Sequence, residues 1–252
     1  MKRSSGVRRC ATSVVGALSL ALVTGCAGQD AAKPAVQARS AAELKKMIIA
    51  EGEVPGYKVG PVPATRAKPI TTDSAPCRPL ARVLSGLPPA EAAAKTDRLA
   101  MENPKRVPPA KPASPDDLDG KKFEESMHKA LDRDVTTVTL ASYDGDGAEK
   151  ALASVSAAVK ACASGFSGKQ AGTKTRFTKV AEEKPTGAGG GAVAFAATAD
   201  TDDGDAGSVH AQVVRAGNTL SGYVTMNLGA MMDKKAYAVS PEVVKAQQTK
   251  LK

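Results

Sequence analysis

Four cysteines, two histidines and several short acidic or glycine-rich runs carry the chemical potential of this 252-residue chain. Nucleophilic catalysis needs a hydroxyl or thiol with a base in reach. Ser164 and Ser167 lie outside any Gly-x-Ser-x-Gly elbow, and His128 and His210 are the whole supply of imidazole. His128 falls in a polar helical stretch and His210 on the less apolar face of a strand pattern, so both read as surface or cleft residues rather than general bases. The run Asp200-Thr201-Asp202-Asp203-Gly204-Asp205 lacks the closing Glu and the alternating spacing of an EF-hand loop and reads as a solvated hairpin. Asp144-Gly145-Asp146-Gly147 serves a turn and a helix cap. Gly187-Ala188-Gly189-Gly190-Gly191 precedes a strand instead of opening a helix, and no Gly-Lys-Ser/Thr follows, so it is no phosphate cradle. Paired-carboxylate glycosidases usually add aromatic sugar platforms, whereas this chain has no Trp and four Tyr. The residues therefore predict no enzyme, no cofactor and no metal.

The cysteines divide by position. Lys2, Arg3, Arg8 and Arg9 precede an apolar stretch from Ala11 to Val23, the basic and apolar regions of a secretory signal. Thirteen residues would span only about 20 Å as a helix, short of a bilayer core of about 30 Å. Leu22-Val23-Thr24-Gly25-Cys26-Ala27 then looks like the lipobox of bacterial lipoproteins, which predicts removal of residues 1–25 and a diacylglyceryl group on the Cys26 thiol. A second acyl chain would make the anchor stable. The predicted location is the extracytoplasmic face of the cell membrane, with the membrane itself as the first partner. Cys10 leaves with the signal, so Cys77 and Cys162 remain as the one pair in an oxidising compartment and are predicted to form a disulfide. Neither histidine stands at a ligand-like spacing from a cysteine, which argues against zinc.

Loss of residues 1–25 leaves 227 residues, and the formal charge of +9 falls to +5 because the signal carries four cations and no acid. The remaining charges are mixed and poor in neighbouring aromatics, and export makes nucleic acid an implausible partner. Residues 26–39 read as a flexible tether and 40–252 as a single domain.

The elements that must position any site follow from periodicity. Ser40-Ala41-Ala42-Glu43 is a capping box, with Leu44, Met47 and Ile48 at helical spacing. Pro55-Gly56 ends that helix, and Tyr57 to Val62 reads as a Pro-punctuated edge strand. A helix after Pro76 faces inward with Cys77, Leu80, Val83 and Leu84. Residues 88–122 are Pro-rich and predict a long loop. Phe123 to Asp132 could form a short helix. Val135 to Tyr143 is β-branched, and Ala148 to Ser164 is an Ala-rich helix with Leu152, Val155, Val159 and Cys162 on one side. Four strands are expected near 175–182, 191–198, 208–216 and 219–228, and Ser240-Pro241-Glu242 opens a last helix to about Lys250. Val209, Ala211 and Val213 alternate with His210, Gln212 and Val214, so one sheet face is expected to be buried and the other wetter. The fold class is α+β: an antiparallel sheet of about five to six strands packed with helices in a single domain.

This arrangement of Val54-Pro55-Gly56-Tyr57, Cys77-Arg78-Pro79-Leu80 and Ala161-Cys162 resembles the actinobacterial exported sensor-like domains related to the extracellular part of mycobacterial serine/threonine kinase H. The resemblance spans about residues 40–250. It implies an antiparallel sheet packed with helices around a cleft, with no assigned ligand. Kinase relatives carry further cysteines, so their cleft architecture does not transfer in detail.

The residues and the resemblance together predict a membrane-anchored, non-catalytic ligand-binding or sensing and interaction module. The alternative is a carrier for a lipid or other apolar envelope molecule, and a cell-envelope hydrolase ranks last. By strand alternation the candidate cleft lining is His210, Gln212, Tyr223 and Asn227 on the polar face of the final hairpin, against the alternative of a solvent-facing sheet surface.

Overall fold

The computed structural model describes residues 36–64, 68–104, 128, 130–187, 191–200 and 206–252. The expected signal (residues 1–25), Cys26, most of the expected tether, residues 201–205 of the acidic run and most of the expected helix 123–132 and of the stretch 105–122 before it lie outside them.

Helix α1 (Ala41–Met47) begins where the sequence predicts, because the Ser40 hydroxyl accepts the Glu43 amide while the Glu43 carboxylate accepts the Ser40 amide at 2.7 Å. The reciprocal pair satisfies two of the amides that every helix start leaves open. Strand β1 (Tyr57–Gly60) and β2 (Ile70–Thr71) follow, and a 3-10 turn (Ala75–Cys77) leads into α2 (Arg78–Leu84). Next come β3 (Ala94–Glu102), β4 (Val135–Ser142), α3 (Gly147–Ala161), β5 (Phe166–Gln170), β6 (Thr173–Glu183), β7 (Ala192–Asp200), β8 (Ala206–Ala216) and β9 (Thr219–Met226). Two helices close the chain, α4 (Leu228–Met232) and α5 (Pro241–Lys250).

The strands form one sheet in the order β1-β3-β4-β9-β8-β7-β6-β5-β2, and every neighbouring pair is antiparallel. Nine strands replace the expected five to six. The additions are β2, β3 and β5. Strand β3 lies inside the stretch 88–122 that composition assigned to a loop; residues 90–103 are free of proline, and β3 is held on both sides, by β1 and β4. Strand β2 is two residues long and exists only through its pairing with β5.

Helices cover both faces of the sheet. On one, α2 and α3 pack with Leu80, Val83, Val155 and Val159 against Phe195, Ala197, Ala211, Val213 and Leu220. Small side chains at Ala148, Ala151 and Ala158 let α3 approach the sheet closely. Cys77 before α2 and Cys162 after α3 lie at bonding distance, 2.07 Å between sulfurs, which joins the two helices over this face. On the other face, α1 and α5 pack with Leu44, Ile48, Val243 and Val244 against Ala100, Val138, Leu140, Val214 and Tyr223. The face expected to be wetter is thus a second core. Its polar groups are tolerated because they bond to the elements laid over them.

Candidate functional site

The candidate site lies on the α2/α3 face, where among the described residues α2 and α3 stop short of the sheet's end. Residues 135 and 137 of β4, 224 and 226 of β9, 207 and 209 of β8, 199 of β7 and 177 of β6 line a groove of about 520 Å³. That volume is within the range of small-molecule sites, about 300–1,000 Å³.

Its walls follow from local structure. Gly86 ends α2 at φ +70°, a conformation that costs glycine little, and a Cβ there would stand 2.8 Å from the Thr137 methyl. The Gly86 carbonyl accepts the Thr139 hydroxyl at 2.6 Å, which pins the end of α2 to β4. Ser85 then bridges two walls: its hydroxyl accepts the Ile70 amide and donates to the Ala81 carbonyl, both at 2.7 Å. Beyond β2, the Gln170 side chain donates to the Lys68 carbonyl at 2.9 Å and holds Lys68 at the rim. The floor includes Phe177, whose ring stacks on Phe166 at 4.7 Å between centroids.

The far end is closed by α4. Asn227 caps this helix by accepting the Ala230 amide at 2.9 Å, and Gly229 packs so tightly that a Cβ would lie 2.5 Å from the Asp132 amide nitrogen. Met231 reaches from α4 across Gly207, where a Cβ would stand 2.2 Å from the thioether methyl. The absent side chain at 207 gives the Met231 thioether its place.

The lining is chemically simple. Valine, methionine, leucine, isoleucine and phenylalanine alternate with Thr137, Thr173, Thr175, Ser85 and Gln170 at the edge, and Lys68 is the one ionisable side chain among the described lining residues. Such a surface favours apolar atoms below and a polar or anionic group at the rim.

The sequence-predicted residues sit elsewhere. His210, Gln212 and Tyr223 do share one face, since His210 pairs with Thr225 and Gln212 with Tyr223 across β8 and β9. That face is the one beneath α5 and the segment leading to it, opposite the groove. His210 Nδ1 stands 3.0 Å from both Glu183 carboxylate oxygens, and its ring meets Tyr237 edge-on. Gln212 accepts the Thr186 amide at 2.8 Å and donates to the Thr186 carbonyl at 2.9 Å. The Tyr223 hydroxyl accepts from Gln248 at 2.8 Å, and burial pushes that phenol up to about 12. Asn227 is spent on capping and on Asp132 and Asp134. The structure brings the first three together but occupies each with an internal partner.

The groove residues carried one partial sequence signal, the Val209, Ala211 and Val213 alternation that marks the apolar face. Nothing local shows where the covering helices end.

No family model and no curated protein matches this chain. The fold is similar to that of the extracellular domain of PknH from Mycobacterium tuberculosis. The likeness has a TM-score of 0.50 at 11% identity and covers 85% of this chain and 96% of the PknH domain. At that identity the likeness to PknH concerns the fold, which agrees with the resemblance drawn from element order and cysteine placement. Among the described residues no helix is long and apolar enough to cross a membrane, and no group of three or more His, Cys, Asp or Glu could hold a metal ion.

Proposed function

We propose that this chain is an exported lipoprotein, anchored through Cys26 at the extracytoplasmic face of the membrane, whose folded domain binds an apolar ligand in the groove over β4, β9, β8 and β6 without chemically altering it. The observation that carries the reading is the lining: among the described residues, an apolar floor with Val209, Val224 and Met226 and a single ionisable group, Lys68, at the rim. Hydrolysis would need convergent acids or an imidazole beside a nucleophile. Binding needs only shape and apolar area.

The PknH domain is described as extracellular, and the shared fold supports an extracytoplasmic sensing role for this chain by analogy of architecture. The carrier reading is favoured by the same floor, whose volume suits a lipid chain. A sensor and a carrier differ in whether the ligand stays with the protein.

The test is native mass spectrometry of the protein purified from its host membrane, paired with titration of dansylundecanoic acid. The expected result is saturable probe binding that drops at least tenfold in Val209→Phe, which fills the floor. A co-purified mass released on denaturation selects the carrier. Equal probe binding by wild type and V209F overturns the groove as the site.

A further inference from the structure

Residues 36–39 are held against the domain by hydrogen bonds. Asn218, in the turn between β8 and β9, donates to the Gln37 carbonyl at 2.7 Å. The Gly145 amide donates to the Val36 carbonyl and the Asp144 carboxylate accepts the Ala38 amide, both at 2.8 Å. The Ser142 hydroxyl accepts the Arg39 amide at 2.9 Å. These four contacts tie residues 36–39 to one end of the sheet, the end that holds the β8–β9 turn and the last residue of β4.

Nine residues, 27–35, lie between Cys26 and Val36, and the ten Cα steps from one to the other reach at most about 35 Å fully extended. The groove lies at the other end of the same strands. Val135 opens β4 beside it and Ser142 closes β4 at the tied end, a length of about 25 Å for eight residues.

The tied end also carries cations that have no Asp or Glu partner among the described residues. Val214, Arg215, Ala216, Lys245, Gln248 and Lys252 surround a shallow recess of about 370 Å³ between the β8–β9 turn and the end of α5, and no Asp or Glu side chain lines it among the described residues. Arg215, Lys245 and Lys252 are all exposed. Nearby acids are taken up: Asp144 holds the Ala38 amide, Asp146 pairs with Lys150 at 3.0 Å, and Glu53 pairs with Lys250 at 2.6 Å.

We propose that the β8–β9 turn is the membrane-proximal end of the domain, that Arg215, Lys245 and Lys252 rest on anionic lipid headgroups, and that the groove therefore opens away from the bilayer. The inference rests on the lipid anchor at Cys26. The tether confines the tied end to within about 35 Å of the surface, and attraction to anionic lipid, effective within about 10 Å of it, draws that end down. A groove facing outward samples molecules of the envelope rather than lipids of the membrane that anchors it.

The experiment uses the full lipoprotein reconstituted in phosphatidylcholine vesicles containing about one-third phosphatidylglycerol, an anionic surface of the kind that attracts basic segments. A fluorophore is attached through Thr249→Cys at the tied end or Thr173→Cys at the groove rim, and nitroxide-labelled headgroups quench it. The expected result is at least threefold stronger quenching at 249 than at 173. The triple variant R215E/K245E/K252E and vesicles of phosphatidylcholine alone should both reduce the 249 signal at least twofold. Equal quenching at the two positions, or stronger quenching at 173, overturns the orientation. A 249 signal indifferent to the triple variant and to lipid charge overturns the headgroup contact, as does protection of Lys245 from amine acylation in the intact envelope but not in vesicles, which would assign it to an acidic envelope polymer. Intact mass of the same preparation separates the failures: no diacylglyceryl on Cys26 overturns the anchor and this inference together, whereas lipid present with uniform quenching overturns the orientation alone.

Discussion

Gln247 accepts the Ile49 amide at 2.9 Å across 198 residues of sequence, and its amide nitrogen donates to the Met47 carbonyl at the same distance. Gln247 is fully buried. One side chain on the last helix thus completes the end of the first, where a helix leaves backbone groups without internal partners. Gln247→Met keeps the volume and orphans both backbone groups. It should cost about 2 kcal/mol or more in urea unfolding, since each buried polar group left unpaired costs about 1–3 kcal/mol. A loss below about 0.5 kcal/mol, the level of an inert surface change, would show that water reaches the site.

The Cys77–Cys162 pair closes a loop across a sequence separation of 85. In the chain-entropy model a loop of that length is worth about 4–5 kcal/mol, and engineered bridges often deliver less. The C77A/C162A variant should unfold at lower urea concentration, and thiol alkylation of the denatured wild type should label neither residue before reduction. Equal unfolding midpoints would mean that the two helices hold this face without the bridge.

Gly207 and Met231 define the floor together. Gly207→Ala places a methyl where the Met231 thioether lies, and the flexible end of that side chain must move toward the groove. Probe affinity should fall about tenfold, equivalent to about 1.4 kcal/mol. The double variant G207A/M231A should recover most of the loss, a coupling expected of residues in contact. A double variant no better than G207A would place the effect in the backbone of β8.

All four tyrosines are acids whose charged form burial disfavours: Tyr57, Tyr143, Tyr223 and Tyr237 are each pushed up from 10.0 to about 12. Between pH values of about 10 and about 12 the unfolded chain therefore binds fewer protons than the folded one, and stability falls as pH rises through that window. Tyrosinate absorbance should rise late and together with loss of the circular dichroism of the sheet. A titration centred near 10 with the fold intact would show the phenols open to solvent.

Local rules explain what was readable in advance. The Ser40–Glu43 capping box, the Pro241 helix start and the Gly217-Asn218 turn depend on residues within one turn of each other, and each stands where the sequence predicts. Parity along β8 and β9 correctly placed His210, Gln212 and Tyr223 on one face, because successive strand residues point to opposite sides. Strand β3 was hidden by averaging: the prolines of 88–122 lie at positions 88, 89, 104, 108, 109, 112 and 115, and the strand occupies the gap between the second and third. Strand β5, Phe166–Gln170, contains a serine, a glycine and a lysine, and its register with β6 supplies what its own residues do not.

The sequence by itself determined the α+β order of elements and the sidedness of the strands, which follow from short-range spacing, and it singled out Cys77 and Cys162, which lie at bonding distance. The tertiary structure alone decided which face is covered and how far. The polar alternation of His210 and Gln212 would suit solvent, yet α5 and the segment before it bury that face because Glu183, Thr186 and Gln248 satisfy its polar groups. The apolar face would suit a filled core, yet α2 ends at Leu84, and among the described residues Val209 and Met226 stay half-buried beside the groove. Polarity sets a preference for burial, and only the lengths and docking of distant helices settle where burial stops.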